Sequence, residues 1–332
     1  MTRRRAPVSV DVYRGERVES RHEVDVALHA DGAARGFGDT RSPVFLRSAA
    51  KPFQAVAVVR SGAADRFAIP EDELALIAAS HSGEAMHTER VARLLSRLGL
   101  DASALGCGAH PPFHAETAAR IGGRFTALHH NCSGKHAGML ALALRLGAPP
   151  GSYLDPDGPV QRTIRETIAA VCGLRCERIP TAIDGCSATT FAVPLAAAAR
   201  AFSLLARPRE APADLREPIA RVARAMARHP ELVGGSGRFD TRLMQATAGR
   251  LLAKAGAEGV QGACDGRSGL GLCLKVRDGS ARAVAPAALE VLRASGCLDA
   301  GALGALQDEW RPRLGNAAGK TVGRIEPRIR GR

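Results

Sequence analysis

Apolar and polar residues alternate with a two-residue period near both ends of the chain, and this alternation predicts strands there. The dipeptides Asp31-Gly32 and Asp278-Gly279 are hairpin turn signals beside two of these segments. The predicted strands are Ser9–Tyr13, Val24–Ala30, Gly259–Cys264 and Leu270–Val276.

Apolar residues recur at helical spacing through most of the remaining chain. The predicted helices are Ala49–Ser61, Glu71–Ala79, Met86–Leu98, Gly138–Leu146, Val160–Val171, Thr189–Leu205, Ile219–Ala227, Thr241–Ala255 and Val284–Ala294.

Strands at both ends of a helical middle predict an α+β fold, in which terminal strands meet in one sheet and helices cover it. We expect a single domain over residues 1–332. Its α/β part would span about 8–60 and 256–300, and its mainly helical part about 61–255. The proline-rich, charged segment Arg207–Pro218 is expected to be a loop or a weak boundary.

The formal net charge of +13 raises the question of a nucleic-acid partner. The arginines, however, are spread along helical segments among acidic residues, and no aromatic–basic platform for stacking single strands is present. The basic tail Arg324–Arg332 is interpreted as a solvated terminus. We therefore expect no nucleic-acid partner.

The apolar runs are shorter than the ~20 residues that a membrane span requires, so no membrane partner is expected. The basic start Met1–Arg5 is not followed by the apolar segment of a secretory signal. Eight cysteines in such a chain are expected to be thiols rather than disulfides. A cytoplasmic location follows from these expectations.

Only five lysines accompany 41 arginines, and three of the five lie in short polar motifs. An ammonium group can lose its proton when it is desolvated, whereas a guanidinium group effectively cannot. Lysines kept in an arginine-rich chain therefore suggest a general base. The alternative is a scatter of surface amines without a role.

Ser48 and Lys51 form the first of these motifs, since residues three apart at the start of a helix lie on one face. A neutral Lys51 within hydrogen-bond reach would activate the Ser48 hydroxyl for attack on a carbonyl or amide carbon. Burial, or Arg47 as a nearby cation, would keep this lysine neutral. The alternative is an N-cap serine followed by a solvated lysine.

Ser80 lies in a second motif, Ala78–Glu84, in which small residues, two hydroxyls and an imidazole lie at the end of a predicted helix. Its hydroxyl could donate to a substrate carboxylate or take part in proton transfer. The alternative, left open here, is a helix cap formed by Ser82.

Cys132 and Cys186 each come just before a predicted helix. A thiol at a helix N-terminus has a lowered pKa and can be a nucleophile or a soft metal ligand. The two thiols could meet and hold zinc, although the spacing does not supply the usual four close ligands. The alternative is two buried free thiols.

Lys275 ends the predicted strand Leu270–Val276, on the face opposite Leu274. From this position the amine could reach a pocket. On the residue pattern alone, a surface lysine on an edge strand is the preferred interpretation.

Taken together, six segments closely resemble the rhizobial-type (type II, thermolabile) bacterial L-asparaginases. They occur in the same order, from about Val10 to about Leu292. The segments are PVFLRSAAKPFQA, ASHSGE, HNCSGKHAGML, DGCSATTFAVPL, HPELVGGSGRFDTRLM and GLGLCLKVRDG. The resemblance implies a catalytic domain with a fold like that of serine β-lactamases and glutaminases, assembled as a homodimer. It also implies hydrolysis of L-asparagine to aspartate and ammonia, as in asparagine catabolism.

Carried over by position, the resemblance implies two Ser–Lys pairs, Ser48 with Lys51 and Ser80 with Lys275. The residues that it implies as substrate contacts are Arg47, His136 and Asp184.

The zinc ligands of relatives that bind the metal correspond to Cys132, Lys135 and Cys186, beside the pocket. Some relatives have a further cysteine after a G-A-E-G-V-Y stretch. In this chain Gln261 replaces the tyrosine and Cys264 falls two positions late, so Cys264 is left out of the expected site.

The expected mechanism is double displacement. A neutral Lys51, or the Ser80–Lys275 pair, takes the proton of a serine, for which Ser48 is the first choice. The serine attacks the side-chain amide, ammonia leaves, and water hydrolyses the aspartyl ester. Arg47 would hold the α-carboxylate and Asp184 the α-amine.

Two other functions stay open. A penicillin-recognising serine hydrolase shares the S-x-x-K motif, but Lys320–Val322 lacks the glycine of the K-T-G element that such enzymes carry. A non-catalytic, metal-dependent amino-acid sensor would use the same thiols and lysines without turnover. The choice between asparagine and glutamine also stays open, because one methylene changes the depth of a pocket and not its chemistry.

Overall fold

The structure is a computed structural model and describes residues 5–329. The first four residues and the last three of the basic tail therefore lie outside the described residues. Eleven strands form within this range. They are β1 (Val8–Arg14), β2 (Arg17–Ala30), β3 (Ala33–Phe37), β4 (Pro43–Phe45), β5 (Thr181–Ile183), β6 (Thr189–Pro194), β7 (Leu251–Gly256), β8 (Val260–Asp265), β9 (Gly271–Val276), β10 (Arg313–Gly315) and β11 (Thr321–Arg328).

Eight strands of the described chain form one sheet in the order β10-β11-β1-β2-β9-β8-β7, with β3 also paired to β2. Strands from the two ends of the chain are antiparallel neighbours here, with Val10 opposite Pro327 and Val26 opposite Leu274. The predicted α+β class is thus confirmed, and so is the meeting of N- and C-terminal strands in one sheet. A separate three-stranded sheet has the order β4-β6-β5.

Fourteen α-helices lie within the described residues. They are α1 (Lys51–Arg60), α2 (Ala63–Arg66), α3 (Glu71–Ile77), α4 (Ala85–Arg97), α5 (Ala115–Ile121), α6 (Ser133–Arg145), α7 (Pro159–Cys172), α8 (Leu195–Ala206), α9 (Ala213–Arg228), α10 (Pro230–Val233), α11 (Phe239–Ala246), α12 (Val284–Ala294), α13 (Ala300–Ala305) and α14 (Gln307–Trp310). Across the described residues, every helix is too short or too polar to traverse a lipid bilayer.

Helices cover the large sheet on both faces. Helix α8 packs on β2, β8 and β9, while α12 packs on β1, β9 and β11. Successive residues of β9 point to opposite faces, so Cys273 joins the apolar core that contains α8 and Leu274 joins the core that contains α12. The single-domain organisation stays a prediction.

Two predicted helices are wrong in part. The chain over Thr189–Leu205 starts as strand β6, whose β-branched residues favour a strand, and becomes helical only after Pro194. Thr241–Ala255 divides as well, because α11 ends at Ala246 and the chain turns at Gly249 (φ +75°) into β7. In the segment predicted as a loop, α9 already begins at Ala213.

Gly271 allows α8 to lie close against β9. A Cβ at this position would be 2.1 Å from the Ala199 carbonyl oxygen and 2.3 Å from the Ser203 nitrogen. Because both atoms belong to the backbone, a larger residue fits only if the helix moves. We expect Gly271→Ala to lower the free energy of unfolding by about 1–3 kcal/mol, measured by urea denaturation.

Gly304→Ala in α13 is the matched control, since no described atom outside its own stretch of helix lies within 4 Å of a Cβ built there. Its free energy of unfolding should stay unchanged or rise by about 0.5–1 kcal/mol. Equal losses in the two variants would contradict the close packing of α8 on β9.

Candidate active site

Lys51 is positioned by a 3₁₀ turn, Arg47–Ala50, that runs directly into α1. The turn is anchored to the small sheet, because the Leu46 N–H donates to the Phe191 carbonyl oxygen. The side chain of Lys51 is 1% exposed. A charged group that is buried to this degree requires hydrogen-bond partners.

Three oxygens surround the Lys51 amine. Its Nζ donates to the carbonyl oxygens of Ala79 (2.7 Å) and Asn131 (3.3 Å), and it lies 2.9 Å from Ser80 Oγ. The predicted contact with the Ser48 hydroxyl is not formed, since no hydrogen bond within residues 5–329 joins these two side chains. Ser48 is instead linked to Lys51 through its backbone carbonyl oxygen, which accepts the Lys51 N–H.

Ser80 follows α3 and is fixed by its backbone N–H, which donates to the Val233 carbonyl oxygen at 2.9 Å. A second amine reaches its hydroxyl, because Lys254 Nζ on β7 also lies 2.9 Å from Ser80 Oγ. Lys254 is 0% exposed and donates to the Ala255 carbonyl oxygen at 2.8 Å. Two buried amines therefore share one hydroxyl.

The predicted pairing of Ser80 with Lys275 is wrong. The Lys275 amine donates to the carbonyl oxygens of Glu258 and Val276, both at 2.6 Å, on a partly exposed part of β9. Lys254 takes its place beside Ser80. Lys254 is one of the chain's few lysines, but the residue pattern places it inside a predicted helix and so gives no sign of this role.

Burial lowers the pKa of Lys254 to about 7, and nearby Asp240 opposes part of this effect. Burial also lowers the pKa of Lys51, against the effect of the neighbouring Cys132 thiol. The three acceptors around Lys51 suit the three N–H groups of an ammonium ion. Ser80 can then accept a hydrogen bond from a charged Lys51 and donate its own hydrogen to a neutral Lys254.

Cys132, Lys135 and Cys186 form a buried cluster at the N-terminus of α6. Lys135 Nζ donates to Cys186 Sγ at 2.9 Å. A hydrogen bond from Cys186, together with Lys51 and Lys135, holds the pKa of Cys132 well below its ordinary value. The same thiol–thiol bond and burial raise the pKa of Cys186. Burial acts to lower the pKa of Lys135, but the two thiols outweigh it and raise that pKa.

The three side chains predicted as zinc ligands thus lie together. Two sulfurs and an amine are donors that a soft or borderline divalent ion accepts. Among the described residues, no group of three or more His, Cys, Asp and Glu side chains is placed to hold a metal. A metal at this cluster would therefore need Lys135 as a ligand, and zinc stays a prediction.

Arg47 and Asp184 form an ion pair, with Nη2 at 2.7 Å and Nε at 2.9 Å from Asp184 Oδ1. Their side chains are 28% and 15% exposed. The backbone of Arg47 is left-handed (φ +51°), a conformation that is uncommon outside glycine and often lies at functional sites. Arg47 Nη1 and Asp184 Oδ2 make no hydrogen bond within residues 5–329. Arg47 can therefore still donate a hydrogen bond to a substrate, and Asp184 can still accept one.

His136 is fully buried, with Nδ1 2.7 Å from Tyr153 Oη. The Gly106 N–H donates to the same Oη at 2.6 Å. We therefore assign the Tyr153 hydroxyl as the donor and His136 Nδ1 as the acceptor of the bond between them. The imidazole hydrogen then lies on Nε2, which has no hydrogen-bond partner in the described part of the chain. Burial lowers the pKa of His136 well below its ordinary value, so the ring is neutral and offers one N–H.

Two cavities lie near other parts of the sheet. The larger, of about 550 Å³, is lined by Leu28, Phe37 and Val291 and by none of the predicted site residues. The smaller, of about 240 Å³, is lined by Asp240 and Gln261, among others, and borders β7. Cys264, which was left out of the expected site, is buried in β8, and burial raises its pKa to about 12.

Comparison with known proteins identifies a family. A family model described as L-asparaginase II matches residues 10–327. No curated protein sequence matches the chain.

Two solved structures are similar at a low level. A protein provisionally described as a β-lactamase, from Bacteroides dorei DSM 17855, has a TM-score of 0.43 and 13% identity, over 76% of this chain and 84% of that chain. Mglu, in its native form in the presence of 4.3 M NaCl, has a TM-score of 0.38 and 17% identity, over 84% of this chain and 63% of that chain. The chain thus spans less than two thirds of Mglu, and similarities at this level carry no argument about activity.

Proposed function

Because the chain belongs to the L-asparaginase II family and is an asparaginase-type amidohydrolase, we propose that it hydrolyses L-asparagine to L-aspartate and ammonia with a lysine-activated serine. The observation that carries this proposal is the buried Ser80 hydroxyl, 2.9 Å from both Lys51 and Lys254. A hydroxyl between two amines, one with a pKa of about 7, can pass protons at neutral pH.

Within this proposal Ser48 is the nucleophile and Ser80 is the proton relay. Ser80 Oγ lies 2.9 Å from both of its amine neighbours, so this oxygen is already engaged in hydrogen bonds. Ser48 is partly exposed, and its hydroxyl has no hydrogen-bond partner among the described side chains. Its hydroxyl is therefore free to meet a substrate, and catalytic hydrogen bonds that are long without substrate tighten when it binds.

The proposed steps balance as an acyl transfer. Ser48 Oγ forms a bond to the side-chain amide carbon as its proton moves through Ser80 to the neutral Lys254. The carbon–nitrogen bond then breaks, and the nitrogen leaves as ammonia after it receives this proton. Water attacks the aspartyl ester, Ser48 recovers its proton, and aspartate is released.

Substrate binding would use the ion pair and the buried imidazole. Arg47 offers an N–H to the α-carboxylate, and Asp184 offers a carboxylate oxygen to the α-ammonium, so their opposite charges match an amino acid. His136 offers its unpaired Nε2–H to an oxygen of the substrate. These assignments retain the predicted substrate contacts.

Zinc belongs to the proposal as a bound ion beside the site. Cys132, Lys135 and Cys186 would hold it, with Lys135 neutral in that state. When bound, the ion would supply positive charge that polarises a nearby substrate group. The predicted homodimer also stays a prediction.

A parallel set of assays tests the proposed function. Ammonia release should be measured with L-asparagine and with L-glutamine, and nitrocefin hydrolysis should be measured beside them. Each measurement is made with and without a chelator. We expect turnover of asparagine in preference to glutamine, and no colour change with nitrocefin. Nitrocefin hydrolysis would favour a penicillin-recognising enzyme, whereas asparagine binding without ammonia release would favour an amino-acid sensor.

A further inference from the structure

Asp240 lies beside Lys254, and no step of the proposed mechanism uses it. It is in the first turn of α11 and is 5% exposed. Its Oδ2 lies 4.0 Å from Lys254 Nζ and accepts the Ala255 N–H at 2.7 Å. Its Oδ1 accepts a hydrogen bond from Gln261 Nε2 at 2.9 Å.

These bonds hold the carboxylate across two strands. Within the described chain, β7 is the last strand of the large sheet, so the outward N–H of Ala255 meets no further strand and Asp240 accepts it. Gln261, on the neighbouring strand β8, is 0% exposed and fixes the second oxygen. The position of the carboxylate relative to Lys254 is therefore set by bonds on both of its oxygens.

The charged and titratable groups that face Lys254 come from several elements. They are Asp240 from α11, Arg238 just before it, Lys51 from α1 and Cys132 from the segment before α6. Among the described groups that face Lys254, Asp240 is the only carboxylate. The cavity of about 240 Å³ is lined by Asp240, whereas Lys254 is not among its lining residues.

We propose that Asp240 is a positioning residue, whose carboxylate fixes Lys254 against Ser80 and stabilises its protonated form, so that it sets the pH at which this amine becomes a base. The inference rests on the proposed Ser–Lys mechanism. A carboxylate at 4.0 Å favours the ammonium form and opposes the effect of burial. The acidic limb of the pH–activity profile, where Lys254 must lose its proton, therefore lies at a higher pH than burial alone would give.

The test is the pH dependence of kcat and KM in Asp240→Asn. Asparagine keeps the size of the residue but removes the charge, so Lys254 should lose its proton more readily. We expect the acidic limb of kcat to move to lower pH by about 1–3 units, with KM unchanged because Asp240 does not touch the substrate.

Asp265→Asn is the matched control, since Asp265 is a fully buried aspartate at the far end of β8, paired with Arg250. Its acidic limb should coincide with that of the wild type. An Asp240→Asn limb that also coincides with the wild type would overturn the proposal.

The titration of Lys254 can also be measured without turnover. Because the chain has five lysines, protein labelled with ¹³C at lysine Cε gives few resonances, and Lys254→Met identifies the one from Lys254. Two results are compared: the Lys254 titration in Asp240→Asn and ammonia release by the wild type. If the titration shifts but the wild type releases no ammonia, the proposed function is refuted and the positioning role is retained. An unshifted titration would refute the positioning.

If Asp240→Asn does not fold, Gln261→Met provides the test. Methionine fills the same volume but removes the bond that fixes Asp240 Oδ1, so the carboxylate is held less firmly beside Lys254 and stabilises its ammonium form less. The Lys254 resonance should then titrate at lower pH than in the wild type. A titration at the wild-type pH or above it would overturn the proposal.

Discussion

Replacing Lys254 with methionine is expected to lower kcat for asparagine hydrolysis by about 10²–10⁴-fold, with a much smaller change in KM. Methionine keeps the length of the apolar chain at a position that is 0% exposed, so the core around it is retained. The variant loses the amine that lies 2.9 Å from Ser80 Oγ and therefore the acceptor of the serine proton. Steady-state ammonia release, on protein with the wild-type circular dichroism spectrum, measures the effect.

Lys275→Met is the matched control. Lys275 is half-buried at most, and among the described residues its amine donates only to the backbone carbonyl oxygens of Glu258 and Val276. Its kcat should equal that of the wild type. The opposite result, with loss in Lys275→Met and full activity in Lys254→Met, would restore the pairing expected from the sequence and refute the site described above.

Replacing Ser48 with alanine is expected to have the larger effect, a loss of about 10⁴–10⁶ in kcat, because the variant cannot form the ester. Ser48 is partly exposed and its hydroxyl has no partner among the described side chains, so stability should change little. In the wild type, acid quenching during turnover followed by peptide mapping should locate an aspartyl ester on Ser48.

Ser61→Ala, at the other end of α1, is the control for Ser48→Ala, and it should retain full kcat. The Ser61 hydroxyl donates to the Val58 carbonyl oxygen and accepts the Ala63 N–H, and within residues 5–329 it makes no hydrogen bond to a site residue. If the ester maps to the peptide that contains Ser80, then Ser80 is the nucleophile and Ser48 is the proton relay. Full activity in Ser48→Ala would remove Ser48 from the mechanism altogether.

Most of the fold could be predicted from periodicity, because terminal strands with a helical middle have few ways to bury their apolar faces. The failures lie where periodicity is ambiguous. The segment before Ala255 has apolar residues at spacings that fit a short helix or a strand, and only the pairing of Leu252 with Cys264 on β8 resolves it. Such a pairing is a tertiary contact that a single sequence does not contain.

The sequence pointed to some of the side chains that the structure brings together around Ser80, but not to the contacts between them. The scarcity of lysine directs attention to Lys51, which the structure buries beside Ser80, and the structure brings Cys132, Lys135 and Cys186 together as a cluster. The partner of Ser80 could not be identified, because a side chain's neighbour depends on strand order in the sheet. Nor could the sequence show that Lys51 extends past Ser48 to reach Ser80.

The two amines that meet at Ser80 come from distant parts of the polypeptide, 29 and 174 residues away along the chain. A nascent chain that has emerged only as far as α11 holds the alcohol and one amine, but it lacks the acceptor for the proton. Under the proposed mechanism, hydrolysis begins only after β7 has joined the sheet, so the nascent chain would stay inert until Lys254 has been synthesised and placed beside Ser80.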